Sequence, residues 1–303
     1  MKTLIVILGP TGVGKTDLSL KLAKKYKTPI ISADSRQIYK GLTIGTAAPS
    51  IKEREKIVHH FIEELELEDY YSASQFETDT LKVLEEVFVD HDVALLCGGS
   101  MMYLDAVCKG IDEIPTIDEE LRNELKTLYD NQGIEPIKEQ LRVLDPVFYR
   151  QVDLDNHKRV IHALEVCLMA GKPYSELRTN TRKERPFKII KVGLTREREE
   201  LYEYINKRVD DMIERGLIEE ARAVFPKRHL NSLNTVGYKE LFDHFDGNSD
   251  LEFAIEKIKQ NTRIYSRKQM TWFKRDHEIK WFHPDENQKV IRYINSCLNE
   301  EER

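Results

Sequence analysis

Residues 4–16 read Leu4-Ile5-Val6-Ile7-Leu8-Gly9-Pro10-Thr11-Gly12-Val13-Gly14-Lys15-Thr16. Five apolar residues run unbroken into a glycine loop, the pattern of a short strand buried on both faces of a parallel sheet. The loop fits G-x-x-x-x-G-K-[ST] in full, and Leu18, Leu22 and Ala23 follow at helical spacing. Strand, loop and helix together predict a P-loop. Its glycines let backbone N–H groups turn toward phosphate oxygens. The helix N-terminus adds a positive dipole, Lys15 a point charge, and the Thr16 hydroxyl a ligand for Mg²⁺. Gly9, Pro10, Thr11, Gly12, Val13, Gly14, Lys15 and Thr16 are therefore the expected grip on a phosphate or pyrophosphate group.

Working outward, residues 29–34 read as a second strand that delivers Asp34 at its C-terminal end. In a doubly wound sheet this strand is expected beside the first, so that Asp34 faces the P-loop crevice. A carboxylate there can hold Mg²⁺ or act as a general base. Residues 74–89 form an amphipathic pattern, with Phe76, Leu81, Leu84 and Phe88 on one side. Residues 93–97 read as another buried strand, capped by Gly98-Gly99-Ser100 and followed by a helix over 101–107. Residues 187–194 read as a late strand and 279–282 as a final short one. Strands alternating with helices imply a parallel sheet covered on both faces.

Between residues 117 and 177 no strand pattern appears, and 119–129, 133–144 and 157–170 read as helices. After Arg196 the chain is mostly helical, over 197–215, 217–224 and 251–274. The expected fold class is α/β: a P-loop parallel-sheet core at 1–115 and 181–303, with a helical insertion at 116–180 and a largely helical C-terminal part. With 303 residues the chain can bury one core plus an appended subdomain.

The net charge of -6 does not advertise a polyanion partner, but its distribution does. Residues 53–90 carry twelve acids and three bases. Residues 178–191 carry six bases and one acid, and residues 257–280 carry eight bases and two acids. Such asymmetry marks either solvated helix faces or a polyanion-binding face. Cys97, Cys108, Cys167 and Cys297 are scattered without a CxxC pair, as in a reducing cytoplasm. Residues 1–8 are too short an apolar run for a signal peptide, and no run approaches the about 20 residues of a membrane span. A cytoplasmic monomer, apart from membranes, is expected. His59 and His60 point apart as neighbours and read as structural or surface residues.

A P-loop does not say what lies behind the phosphate. The N/T-K-x-D motif of a GTPase is absent, and the strand at 93–96 ends in Cys97-Gly98-Gly99 where a motor ATPase carries an acid. A small-molecule or nucleotide kinase, with Asp34 as base, and a nucleotide-switched RNA-binding module remain as alternatives.

Six stretches stand in order along nearly the whole chain: residues 9–16, 34–47, 98–103, 159–166, 236–238, and 262–263 through 268–273. Together they resemble the tRNA dimethylallyltransferase family. The runs at 34–47 and 268–272 are the specific ones. The resemblance implies that dimethylallyl diphosphate donates its five-carbon group to N6 of the adenosine just 3′ of a tRNA anticodon, with pyrophosphate leaving. The P-loop and Mg²⁺ would then stabilise a departing pyrophosphate. Asp34 would accept a proton from a weakly nucleophilic amine, and the adenine would leave the base stack to arrive there.

By the same resemblance, Arg208 contacts the pyrophosphate, and Asp34, Ser35, Arg36 and Gln37 grip the target nucleotide. Ser100 lines the channel with a hydroxyl where threonine is common in the family. Arg122, the run Lys158, Arg159, Val160, Ile161 and His162, and the run Asn234, Thr235, Val236, Gly237, Tyr238 and Lys239 match tRNA-contacting segments. So does the run Arg267, Lys268, Gln269, Met270, Thr271, Trp272, Phe273 and Lys274. The basic residues and aromatics of that last run could hold phosphates and splayed anticodon-loop bases. For Trp272, core packing is the competing role.

Overall fold

The computed structural model describes residues 1–112, 114–115, 117–179 and 181–299. The chain divides into two compact units, Met1–Cys108 with Arg185–Arg303, and Lys109–Glu184. Thr116 and Asn180, the expected limits of the insertion, lie outside the described residues.

The first unit is built on a parallel sheet of β1 (Thr3–Leu8), β2 (Ile30–Ala33), β3 (His59–His60), β4 (Val93–Gly98), β5 (Lys188–Leu194) and β6 (Lys280–Phe282), in the order β3-β2-β4-β1-β5-β6. The unbroken apolar run of β1 has a physical cause. Leu4, Val6 and Leu8 feed the core on one face, with Phe76 and Leu104. Ile5 and Ile7 feed the core on the other, with Leu18, Leu22 and Ile294. A strand buried on both faces has no polar side to show.

The expected adjacency of the first two strands is not observed: β4 lies between them. The register nonetheless lines up their ends, pairing Leu8 with Gly98 and Ala33 with Gly98. Gly98 makes this approach possible, because a Cβ there would stand 2.1 Å from the Ala33 carbonyl oxygen. Asp34 thus still emerges at the P-loop edge, one strand further away than a neighbouring strand would place it.

Helices Lys15–Tyr26, Ala73–Asp90, Met101–Lys109, Arg198–Glu214, Leu217–Val224 and Leu251–Phe273 lie where the sequence periodicity puts them. The helix Ala73–Asp90 starts at a capping box, in which Ser72 and Gln75 each accept from the other's backbone N–H at 3.2 and 2.7 Å. Several elements escape the sequence reading. The pair His59–His60 forms an edge strand too short to show a period. The turn at residues 236–237 leads straight into the helix Tyr238–Phe245, N-capped at Gly237. The helix Asn287–Asn299 follows β6.

The second unit is all-helical among its described residues: Glu119–Gln132, Glu135–Leu144, Pro146–Gln151, His157–Ala170 and Tyr174–Leu177. Its own core contains Leu125, Ile137, Leu141, Phe148, Val160 and Leu164. The fully buried Asp145 carboxylate is satisfied by the Phe148 and Ser175 amides at 2.8 and 2.7 Å and the Ser175 hydroxyl at 2.8 Å. Among the described residues no helix is long and apolar enough to cross a membrane.

Candidate active site

The P-loop opens from the C-terminal end of β1, and its Gly9, Gly12 and Gly14 all have positive φ, which turns the backbone amides inward. The Lys15 ammonium folds back onto its own loop, donating to the carbonyls of Gly9 at 3.0 Å and Pro10 at 2.8 Å. Burial holds Lys15 down to about 8, and the Arg208 guanidinium pushes the same way. Arg208 comes from the helix Arg198–Glu214 and is likewise lowered by burial, with Asp34 pulling it back. Among the described residues Arg208 has no ion-pair or hydrogen-bond partner. Two half-sequestered cations beside a ring of amides make a receptor for a strong anion.

These groups line a cavity of about 400 Å³, walled also by Thr11, Gly12, Gly14, Thr16, Lys207 and Gln269. Gly9, Pro10 and Val13 are buried beneath the loop and do not reach this wall. Cys97 does; burial raises its thiol and keeps it neutral. Cys97 is thus a cavity residue, whereas its apolar neighbours in sequence suggest the core; no disulfide joins the four cysteines. No three His, Cys, Asp or Glu side chains gather to hold a metal ion among the described residues. The oxygens in the wall, the exposed Thr16 hydroxyl and the carboxylates of Asp34 and Asp211, are of the kind that suits a hard cation.

A second cavity, of about 450 Å³, adjoins the first and shares Thr11, Asp34, Thr46, Arg208 and Tyr265 with it. Asp34 stands at the junction. Its Oδ1 accepts from the Arg36 amide at 2.9 Å and the Gln37 amide at 3.4 Å, fixing the carboxylate as the cap of its own turn. Oδ2 has no partner among the described residues and is available to a ligand. The turn is secured from the loop after β4: the Ser100 hydroxyl accepts from the Ser35 amide at 2.8 Å. Arg36 donates to the carbonyls of Asn231 and Ser232 at 3.0 and 3.3 Å. The Tyr265 hydroxyl is pushed up to about 12 by burial and by Asp34, so it stays a proton donor at neutral pH.

The rim of the second cavity carries Asn234, Thr235, Val236, Gly237, Lys239 and Lys268. Arg267, Lys268, Thr271 and Lys274 are exposed along one side of the helix Leu251–Phe273 and its end, and Met270 is half-buried. In the second unit Lys158, Arg159 and His162 are exposed, Ile161 is half-buried, and Arg122 pairs with Glu165 at 3.3 Å.

Several expected contacts are corrected by these positions. Val160, Tyr238 and Phe273 are buried at 0%, 0% and 4% and have no surface for RNA. The Tyr238 hydroxyl donates to Glu220 at 2.6 Å, and Glu220 in turn accepts from the amides of Thr43, Ile44 and Gly45. Tyr238 therefore shapes the loop that carries Thr46. Gln37 faces the first cavity, and its amide is occupied by Ser32, Thr46 and Ala47. The Trp272 indole donates to Asp105 at 2.7 Å and is partly buried against the core, the placement that a packing role requires. Gln269 is buried and faces the P-loop.

The sequence profile of the IPP transferase family matches residues 37–276. The chain belongs to this family. It is 59% identical to tRNA dimethylallyltransferase 1 of Bacteroides fragilis, over 98% of this chain and 99% of that one. It is 60% identical to the protein of the same name from Phocaeicola vulgatus, over 97% and 98%. The fold matches the full-length tRNA isopentenylpyrophosphate transferase of Bacillus halodurans with a TM-score of 0.73 at 33% identity, covering 100% of this chain and 98% of that one. It also matches a eukaryotic dimethylallyltransferase crystallised acting on tRNA, with a TM-score of 0.75 at 27% identity over 90% and 70% of the chains.

In this member of the IPP transferase family the site holds residues that the sequence does not single out. Tyr204, Lys207 and Asp211 join Arg208 on one stripe of the helix Arg198–Glu214. The three- to four-residue spacing along that stripe is the signal that could have found them. Thr46, Tyr265 and His59 line the cavities but carry no local pattern that announces it.

Proposed function

We propose that this chain transfers the dimethylallyl group of dimethylallyl diphosphate to N6 of the adenosine 3′-adjacent to a tRNA anticodon, releasing diphosphate. The observation that carries the reading is the pair of cavities meeting at Asp34. One end is cationic and lined by P-loop amides, suited to a diphosphate. The other is rimmed by Lys239 and Lys268 and suited to a nucleotide that has left its stack. All of these groups belong to one chain, so a monomer suffices.

The diphosphate lies on the amides of residues 12–16, with Lys15, Lys207 and Arg208 on its oxygens. Thr16 would hold Mg²⁺, which would supply further charge neutralisation at the diphosphate. The donor C1–O bond breaks and its electron pair leaves with the diphosphate, where the cations stabilise it. The N6 lone pair forms the new C1–N bond, and the N6 proton passes to Oδ2 of Asp34. Thr11, Arg208 and Tyr265 bound the passage between the cavities, where C1 meets N6.

The test is incubation with dimethylallyl diphosphate and an unmodified anticodon stem-loop, followed by mass spectrometry of the digested nucleosides. One adenosine gaining one dimethylallyl group is expected. An unshifted adenosine from folded protein, or consumption of ATP without RNA, would sink the reading.

A further inference from the structure

Gln269 sits on the basic helix Leu251–Phe273, yet it is 2% exposed and turned away from solvent. Its Oε1 accepts from the Thr11 amide at 2.9 Å, and its Nε2 donates to the Gly99 carbonyl at 2.8 Å. The two bonds fix its orientation, since a flipped amide would set N–H against N–H and C=O against C=O. Gly99 leaves it room: a Cβ there would lie 2.5 Å from Nε2. One side chain thus ties the first turn of the P-loop to the loop after β4. The next residue back, Lys268, lines the second cavity, while Gln269 lines the first.

We propose that Gln269 is a positioning residue for the diphosphate donor and not an RNA contact. It occupies the Thr11 amide and so sets the loop from which the amides of residues 12–16 point at the diphosphate. It touches neither the reacting carbon nor the amine. This inference rests on the proposed prenyl transfer. It extends that reading by assigning to the donor site a residue carried on the helix that faces RNA.

Two variants test it. Gln269→Leu removes both bonds at similar volume, and Gln269→Glu keeps the acceptor for the Thr11 amide but loses the donor to Gly99. In Gln269→Leu the KM for dimethylallyl diphosphate is expected to rise by about 10- to 100-fold, the scale of a misplaced binding group. The stem-loop Kd should stay within about threefold of the parent, because the groups that hold RNA are untouched. Gln269→Glu should raise the same KM at least as far, since its charge opposes the diphosphate, and it keeps the inference testable if the leucine variant does not fold. An unchanged donor KM in the folded variant, or a stem-loop Kd that weakens in step with it, would overturn the proposal. If the parent itself binds stem-loop but no dimethylallyl diphosphate, the functional reading fails and this inference with it.

Discussion

Asp34 shows how far a single residue is legible in the sequence. Its position at a strand end marks it as a functional candidate, but the strands beside β1 are β4 and β5 and not the one that carries it. What brings Asp34 to the P-loop is the glycine at the end of β4. Asp34→Asn keeps the oxygen that caps the Arg36 amide and removes the proton acceptor. The expected result is a loss of roughly 10²- to 10⁴-fold in the single-turnover rate, with stem-loop affinity unchanged. A near-normal rate would remove Asp34 as the base. Lys15 gives a pH dependence whose sign can be stated. Its ammonium persists to about 8 in the fold against 10.5 in a free lysine. Between those values the unfolded chain binds the extra proton, so Lys15 contributes rising stability as pH increases. Donor binding runs the other way, because the diphosphate needs the ammonium. The kcat/KM for the donor is expected to fall as pH rises above about 8, and Lys15→Met should lose that limb of the profile along with most of its activity.

At the scale of elements, long periodic helices and apolar strands are legible because burial imposes a period on sequence. The strand His59–His60 is not, because two residues carry no period, and the helix Tyr238–Phe245 hides behind a glycine that serves as its cap. The helix Leu251–Phe273 is readable from its sequence, but its faces are not told apart there. Basic and aromatic residues that look like one RNA-binding run divide in space. Gln269 and Phe273 turn inward and Trp272 anchors on Asp105, while Arg267, Lys268 and Lys274 face outward. Charge reversal at Arg267 and Lys268 together should therefore weaken stem-loop binding by at least about tenfold. It should also reduce the salt slope by about 0.7 for each phosphate no longer neutralised. An equal slope in filter binding over a salt series would place the RNA elsewhere.

Across the whole molecule, the acidic total conceals locally basic segments, and only the segment-by-segment charge count exposes them. Strand order is the least legible feature, since crossover connections leave no mark on local sequence. Where the chain re-enters the first unit, Arg185 pairs with Glu77 at 2.7 Å, both nearly buried, and also donates to the carbonyls of Ala106 and Val107. Arg185→Ala leaves the Glu77 carboxylate buried and without this partner. A loss of about 3–5 kcal/mol is expected in urea unfolding. A change below about 1 kcal/mol would show that the pair is solvated, as surface pairs are. The claim that two substrates meet at Asp34 from separate cavities is tested most directly by a crystal structure with a non-hydrolysable thio-analogue of dimethylallyl diphosphate and an anticodon stem-loop. The diphosphate is expected on the amides of residues 12–16, with the adenine in the cavity rimmed by Lys239 and Lys268. Its N6 should lie about 3 Å from Oδ2 of Asp34, within hydrogen-bond reach. A base bound on another face, or a diphosphate away from the P-loop, would contradict it.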